Sequence, residues 1–255
     1  MTGRLGSVQP QFAAAERGSA LAFPCVADSG KRAPPTPWIG ASGFSYASWK
    51  PDFYPADARP EDFLRLYAAR LPTVELNNTF YRLPAEEQFA RWAEQTPPGF
   101  RFAVTMSRRV TGRGRVEGVD AFETSVRALG ERLGPIRIKV PQARDDGFLI
   151  LLLGSLSRDL RYVLDFRHES WDDPEVTARL DEAGIVRSGA LEGTAPFRYL
   201  RFRDPPYDDA ALERLAAELR PLLDAGIEVY GYFRHEDEPT APAYARRLLH
   251  LAAAG

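Results

Sequence analysis

The sequence predicts a single (β/α)₈ barrel of the α/β class, and three observations carry that prediction. The chain has 255 residues, of which roughly 220 follow an atypical amino-terminal stretch, a length near the lower end for such a barrel. From Trp38 onward short apolar segments alternate with longer amphipathic ones, the pattern of strand-helix units feeding a parallel sheet. Most of the strand segments also divide by parity into one apolar and one ionisable face.

The elements follow in chain order. Residues 1–35 are rich in Gly, Ala, Ser and Pro, lack periodicity and run into the breaker cluster Ala33-Pro34-Pro35-Thr36-Pro37, so a flexible extension is expected ahead of a barrel domain at 36–255. Strands are expected at Trp38–Ala41, Thr73–Asn77, Phe100–Thr105, Ile136–Val140, Tyr162–Arg167, Ile185–Ser188, Arg198–Arg203 and Ile227–Phe233. Helical patterns lie between them at Pro60–Arg70, Pro84–Gln95, Val119–Leu133, Pro174–Ala183, Asp208–Ala225 and Ala241–Ala253. The clearest, Asp208–Ala225, puts Leu212, Leu215, Ala216, Leu219, Leu222 and Leu223 on one face, with Gly226 just past its end. Residues 145–157 are ambiguous: a Leu-rich run suits a buried strand, but element order calls for a helix that Asp145 or Asp146 can cap. No full helix fits between the sixth and seventh strands, so the ring is expected to be thin there.

Composition narrows the function. A formal net charge of -2 points to neither a strongly basic nucleic-acid binder nor an acidic tail protein. One cysteine, Cys25, excludes an internal disulfide and a cysteine-rich metal centre, and is consistent with a cytoplasmic protein. No segment approaches the about eighteen apolar residues of a membrane helix, and no secretory signal pattern is present. Of the 33 basic residues only Lys31, Lys50 and Lys139 are lysine, which singles out each internal lysine.

Parity places charge inside the barrel. Glu75 and Asn77 oppose Val74 and Leu76, Arg101 and Thr105 oppose Phe102 and Val104, and Arg137 and Lys139 oppose Ile136, Ile138 and Val140. Asp165 and Arg167 oppose Leu164 and Phe166, while Arg201 and Arg203 oppose Leu200 and Phe202. Unpaired charges inside would be costly, so they must pair or serve a ligand. Barrel sites form at the carboxyl ends of the strands, which selects Glu75, Asn77, Thr105, Lys139, Asp165, Arg167 and Arg203, with Arg108 and Arg109 just beyond. Their basic surplus suits phosphate or carboxylate.

Several segments resemble one family. Ile39-Gly40-Ala41-Ser42-Gly43-Phe44-Ser45-Tyr46, Trp49-Lys50, Phe53-Tyr54-Pro55 and Val74-Glu75-Leu76-Asn77-Asn78-Thr79-Phe80-Tyr81 are similar to the domain of unknown function 72 family. So are Arg91-Trp92, Thr96-Pro97-Pro98-Gly99-Phe100-Arg101-Phe102, Leu133-Gly134-Pro135, Asp165-Phe166-Arg167-His168-Glu169-Ser170-Trp171 and Val229-Tyr230-Gly231-Tyr232-Phe233. The resemblance runs from Trp38 to the end and implies a (β/α)₈-type barrel, but it brings no activity. By the family's usual pattern, lysine would stand at Thr105, glutamine at Lys139, glutamate at Asp165, and Asn-Asn or Asn-His at Arg234-His235.

The expected chemistry follows from these positions. Glu75 and Asp165 are candidates for an acid-base pair, the alternative being that each simply holds an arginine such as Arg101 or Arg167. His168 is the candidate proton donor, and Lys139 and Arg167 stabilise charge on the transferred group. Asn77, Asn78, Tyr81, Arg108, Arg109, Arg167, Trp171, Arg203, His235 and Glu236 are candidate ligand contacts, and Arg113 and Arg115, beside Gly112 and Gly114, suit phosphate, a solvated basic loop being the plainer account. No metal-ligand spacing is present, so a divalent metal at His168, His235, Glu75 and Asp165 is not favoured and no cofactor is assigned. The leading expectation is a pocket for an anionic, phosphorylated or nucleic-acid ligand, acting as a hydrolase of phosphoesters if it is an enzyme. A non-catalytic nucleic-acid or partner-binding module and a glycoside hydrolase are the alternatives.

Overall fold

The computed structural model describes residues 37–111, 116–235 and 238–253. The expected extension at 1–35, the loop arginines Arg113 and Arg115, and Glu236 lie outside the described residues. The eight strands are β1 (Trp38–Ser42), β2 (Thr73–Leu76), β3 (Arg101–Thr105), β4 (Leu133–Val140), β5 (Tyr162–Phe166), β6 (Val186–Arg187), β7 (Phe197–Phe202) and β8 (Glu228–Phe233). Between and after them run α1 (Phe63–Ala68), α2 (Glu86–Glu94), α3 (Arg108–Thr111), α4 (Val119–Arg127), α5 (Asp146–Ser155), α6 (Pro174–Ala183), α7 (Asp209–Asp224) and α8 (Thr240–Ala253).

The strands form one parallel sheet in the order β6-β5-β4-β3-β2-β1-β8-β7, a nearly closed barrel. Its seam lies between β6 and β7, where the Gly189 amide reaches the Tyr199 carbonyl at 2.9 Å. The ring is thin there, and Arg198 on β7 takes part of the missing helix's role. Its guanidinium donates to the carbonyls of Leu191, Gly193, Ala195 and Phe197 at 2.6–2.8 Å, satisfying backbone that no helix covers.

The apolar strand faces pack outward against the helices, where Val74, Leu76, Phe102, Val104, Ile136, Ile138, Leu164 and Leu200 join one continuous core. The opposite faces line the interior, with Ala103, Val163, Tyr199, Tyr230 and Tyr232 filling its lower layers. Residues 145–157 resolve into helix α5, capped as expected: the Asp145 carboxylate accepts from the Phe148 amide at 2.9 Å. α4 is shorter than expected and ends at Arg127, giving way to a 3₁₀ turn at Gly130–Arg132. β4 begins at Leu133, earlier than expected, because Gly134 lets it approach β3 beside a register shift between Phe102 and Val104. A Cβ at Gly134 would lie 3.0 Å from the Phe102 carbonyl oxygen.

Gly231 on β8 is tighter still. A Cβ there would stand 2.7 Å from Ile39 Cδ1 and 2.9 Å from Phe202 Cε2. Gly231→Ala is therefore expected to lower stability by about 1–3 kcal/mol through overpacking, measurable by chemical denaturation, and an unchanged midpoint would contradict this packing.

Candidate functional site

The upper interior of the barrel holds a network of charge. Glu75, near the end of β2, is fully buried, and both of its oxygens are engaged. Oε2 accepts from Ser42 Oγ at 2.6 Å, Asn77 Nδ2 at 2.9 Å and Arg201 Nη2 at 3.0 Å, while Oε1 accepts from the Tyr199 hydroxyl at 2.6 Å. Burial alone would raise this carboxyl, but Arg201, Arg137 and the Ser42 and Tyr199 hydroxyls outweigh it and hold Glu75 well below its ordinary value. A carboxylate so saturated keeps little basicity.

Asp165 on β5 is bonded differently. Its Oδ2 takes Arg137 Nε at 2.8 Å, Arg137 Nη2, and Arg167 Nη2 at 2.8 Å. Oδ1 accepts no hydrogen bond among the described residues, which leaves this oxygen for a proton or a water. Arg137, fully buried on β4, lies between the two acids, with Nη1 3.9 Å from Glu75 Oε1 and 3.4 Å from both Asn77 Oδ1 and Thr105 Oγ1.

Arg201 on β7 completes this layer and leaves it incompletely satisfied. Its Nε lies 2.9 Å from Glu75 Oε1 without the alignment of a hydrogen bond. Nη1 is buried and has no hydrogen-bond partner among the described residues, with Asp165 Oδ2 3.9 Å away. A buried N–H without an acceptor is what an anionic ligand's oxygen would satisfy.

Above this layer stand Lys139, Arg167 and Arg203. Burial lowers the Lys139 amine to about 8, and Arg137, Arg201 and Arg167 add to the shift against the opposing pull of Asp165. Arg203 is likewise held below its ordinary value by burial and by Arg201, Arg167 and Arg137. Five basic groups thus surround two carboxylates, a local surplus of +3.

The remaining predicted residues divide between the mouth and the scaffold. Asn77 is a working part of the network, accepting from Thr105 Oγ1 at 3.1 Å while donating to Glu75. Asn78 is exposed and lines a cleft of about 220 Å³ with Ser42, Gly43, Phe44 and Tyr46. Tyr81 and Arg108 are exposed and pair with each other, the guanidinium 5.6 Å from the ring centroid, and Arg109 is exposed beside them on α3. His235 is exposed and stacks on Tyr46, with centroids 4.7 Å apart. His168 is exposed and caps a 3₁₀ turn, its Nδ1 accepting from the Ser170 amide at 3.1 Å. A ring nitrogen that accepts a backbone N–H is unprotonated, so the neutral ring carries its proton on Nε2.

Two expectations are corrected. Trp171 does not meet a ligand: it is fully buried, stacked on Phe166 at 4.5 Å, and donates its indole N–H to the Gln142 carbonyl at 2.8 Å. Arg101 does not hold Glu75; it sits at the opposite end of the strands, over the Trp38 ring at 4.9 Å, because β3 begins with it. Among the described residues no three His, Cys, Asp or Glu side chains gather as a metal site. No described helix is long and apolar enough to cross a membrane.

Parity had turned Arg137 and Arg201 inward, but assigning layers by distance from the strand end left both below the site. A guanidinium on a long stem reaches up into the next layer, so these two residues, with Ser42 and Tyr199, bind the acids.

Comparison with known proteins places the fold. A family model described as "Protein of unknown function DUF72" matches residues 38–255. The UPF0759 protein YunF of Bacillus subtilis is 25% identical over 151 residues, a match that spans 54% of this chain and 52%, about half, of that protein's length. A crystal structure of a DUF72 family protein from Thermotoga maritima superposes with a TM-score of 0.71 at 24% identity, covering 85% of this chain and 98% of that one. One from Enterococcus faecalis gives 0.71 at 17% identity, over 85% and 95% of the two chains. These two likenesses establish the fold.

Proposed function

The chain belongs to the DUF72 family, and from that premise we propose that the mouth of its barrel binds an anionic, phosphorylated ligand and hydrolyses a phosphoester. The observation that carries this reading is the unpartnered Nη1 of Arg201 beneath Lys139, Arg167 and Arg203, a cluster in which burial and the neighbouring guanidinium groups hold Lys139 and Arg203 below their ordinary values. Such a cluster is relieved when a ligand brings in negative charge. Lys139, Arg167 and Arg203 would take the phosphoryl oxygens, and Arg201 would meet the oxygen nearest the barrel floor.

The base is assigned to Asp165, whose Oδ1 is open, and Glu75 is assigned to holding Arg137 and Arg201 in place. His168, whose Nδ1 accepts from the Ser170 amide, is assigned to present its Nε2–H as a hydrogen-bond donor to the leaving oxygen. The glycosidase alternative needs one carboxyl raised enough to donate a proton, and Glu75 is held in the opposite direction.

The test joins binding to turnover. Inorganic phosphate, pyrophosphate and a short single-stranded oligonucleotide are expected to raise the melting temperature, and a generic aryl phosphoester is expected to be cleaved. Asp165→Asn should retain the phosphate-induced shift and lose about 10²–10⁴-fold in turnover. Stabilisation without cleavage of mono- or diesters would leave the non-catalytic binding module, and no shift with any of the three anions would end the reading.

A further inference from the structure

We propose that Lys139 is a nucleophilic amine that forms a Schiff base with a small aldehyde or ketone bearing a carboxylate or phosphate. The inference rests on the anion-binding reading of the same mouth, since the arginines there would hold the substrate's charged group. It differs from that reading in what the lysine does.

Four observations converge on this residue. Lys139 lies on the inward face of β4, next to its last residue, level with Asp165 in the β4–β5 register and half-buried. Its ammonium has no ion pair or hydrogen bond among the described residues, and Nζ instead lies 4.4 Å from the centroid of the Phe80 ring. The charged groups that influence it are mostly cations: Arg137 on its own strand, Arg167 following β5, and Arg201 on β7, against Asp165 on β5. Glu75 on β2 and Asp165 are already engaged by Arg137, Arg167 and Arg201.

That environment has a chemical consequence. Burial and the neighbouring cations destabilise this ammonium relative to the free amine, against the attraction of the Phe80 ring face, and its value of about 8 leaves a useful share unprotonated near neutral pH. Arginine could not serve this purpose, because it does not lose its proton in proteins. Lysine stands in the site of a chain that uses arginine for 30 of its 33 basic residues.

The step balances without a redox partner. The Lys139 lone pair attacks the carbonyl carbon, the carbonyl electron pair moves to oxygen, and one of the two protons on nitrogen is passed to that oxygen to give a neutral carbinolamine. That hydroxyl takes a second proton and leaves as water, and the nitrogen retains one hydrogen in the protonated imine. Asp165, the neighbour of Lys139 in the β4–β5 register, is the group we assign to pass these protons.

Three lysines make the test assignable. The full chain is incubated in turn with glyoxylate, pyruvate and pyridoxal 5′-phosphate, reduced with borohydride, and mapped by peptide mass spectrometry. A reduced adduct is expected at Lys139, forming about tenfold faster than at Lys50, rising as the pH passes through 8 and slowed by inorganic phosphate. Lys139→Arg should abolish that adduct while Lys50 is labelled at its wild-type rate. Adducts spread evenly over Lys31, Lys50, Lys139 and the amino terminus, or none at Lys139 while phosphate still stabilises the chain, would overturn the Schiff base and leave the anion pocket standing. Labelling of Lys139 that phosphate neither slows nor accompanies with a thermal shift would instead overturn the anionic substrate class and the pocket reading with it.

Discussion

Replacing Glu75 with Gln is expected to cost about 3–5 kcal/mol of stability at pH 7, because Arg137 and Arg201 are then left buried with one carboxylate between them. The amide keeps only one accepting oxygen, so it can accept from the Ser42 or the Tyr199 hydroxyl and not from both, and the loss combines charge with one hydrogen bond. The sign of the pH dependence follows from the same contacts. Folding depresses the Glu75 carboxyl below its ordinary 4.5, so the unfolded chain binds more protons there. The stability it contributes is present above that value and is lost as the pH falls through the depressed folded value. Urea melts from pH 7 down to pH 3 should therefore show the wild type weakening below about 4.5, with that part of the slope missing in Glu75→Gln. The double variant Glu75→Leu with Arg201→Met should be less destabilised than either single change, since a buried pair removed together leaves no orphan charge. A Glu75→Gln protein as stable as wild type would mean that the carboxylate does not anchor the two arginines.

The second large effect concerns binding. Arg167→Ala combined with Arg203→Ala is expected to weaken phosphate binding by roughly 10–100-fold, about tenfold for each charge-assisted contact at a rim partly open to solvent. The fold should tolerate the change, because Arg167 is 40% exposed and Arg203 is exposed, and Asp165 keeps its bonds to Arg137. Binding to a short oligonucleotide should also lose salt dependence, since each basic group in contact with a phosphate contributes to the slope. Titration calorimetry at two ionic strengths measures both quantities. Affinities within twofold of wild type would place anion binding elsewhere on the molecule.

Much of the barrel was legible in the sequence because its signals are local. The alternation that sets Val74 and Leu76 against Glu75 is a property of any strand, and Asp145 caps α5 through a contact three residues away. The limits of β6 were not legible: only Val186 and Arg187 pair, since the seam depends on how far the sheet has closed. Trp171 was misread for a related reason. An aromatic side chain after a strand end has the same local sequence whether it faces a ligand or, as here, closes over Phe166 and the Gln142 carbonyl.

The site divides along the same line. The sequence by itself determined that Glu75, Arg137, Lys139, Asp165 and Arg201 face the interior, because a period of two needs only the neighbouring residues. Only the tertiary structure decided that Glu75 is saturated and that, among the described residues, Asp165 keeps one oxygen open and Lys139 stands among cations with no carboxylate of its own. Those facts depend on the stagger of strands far apart in the chain and on how far a guanidinium reaches between layers. Charge pairing across a barrel is a relation between strands, and no single strand's sequence contains it.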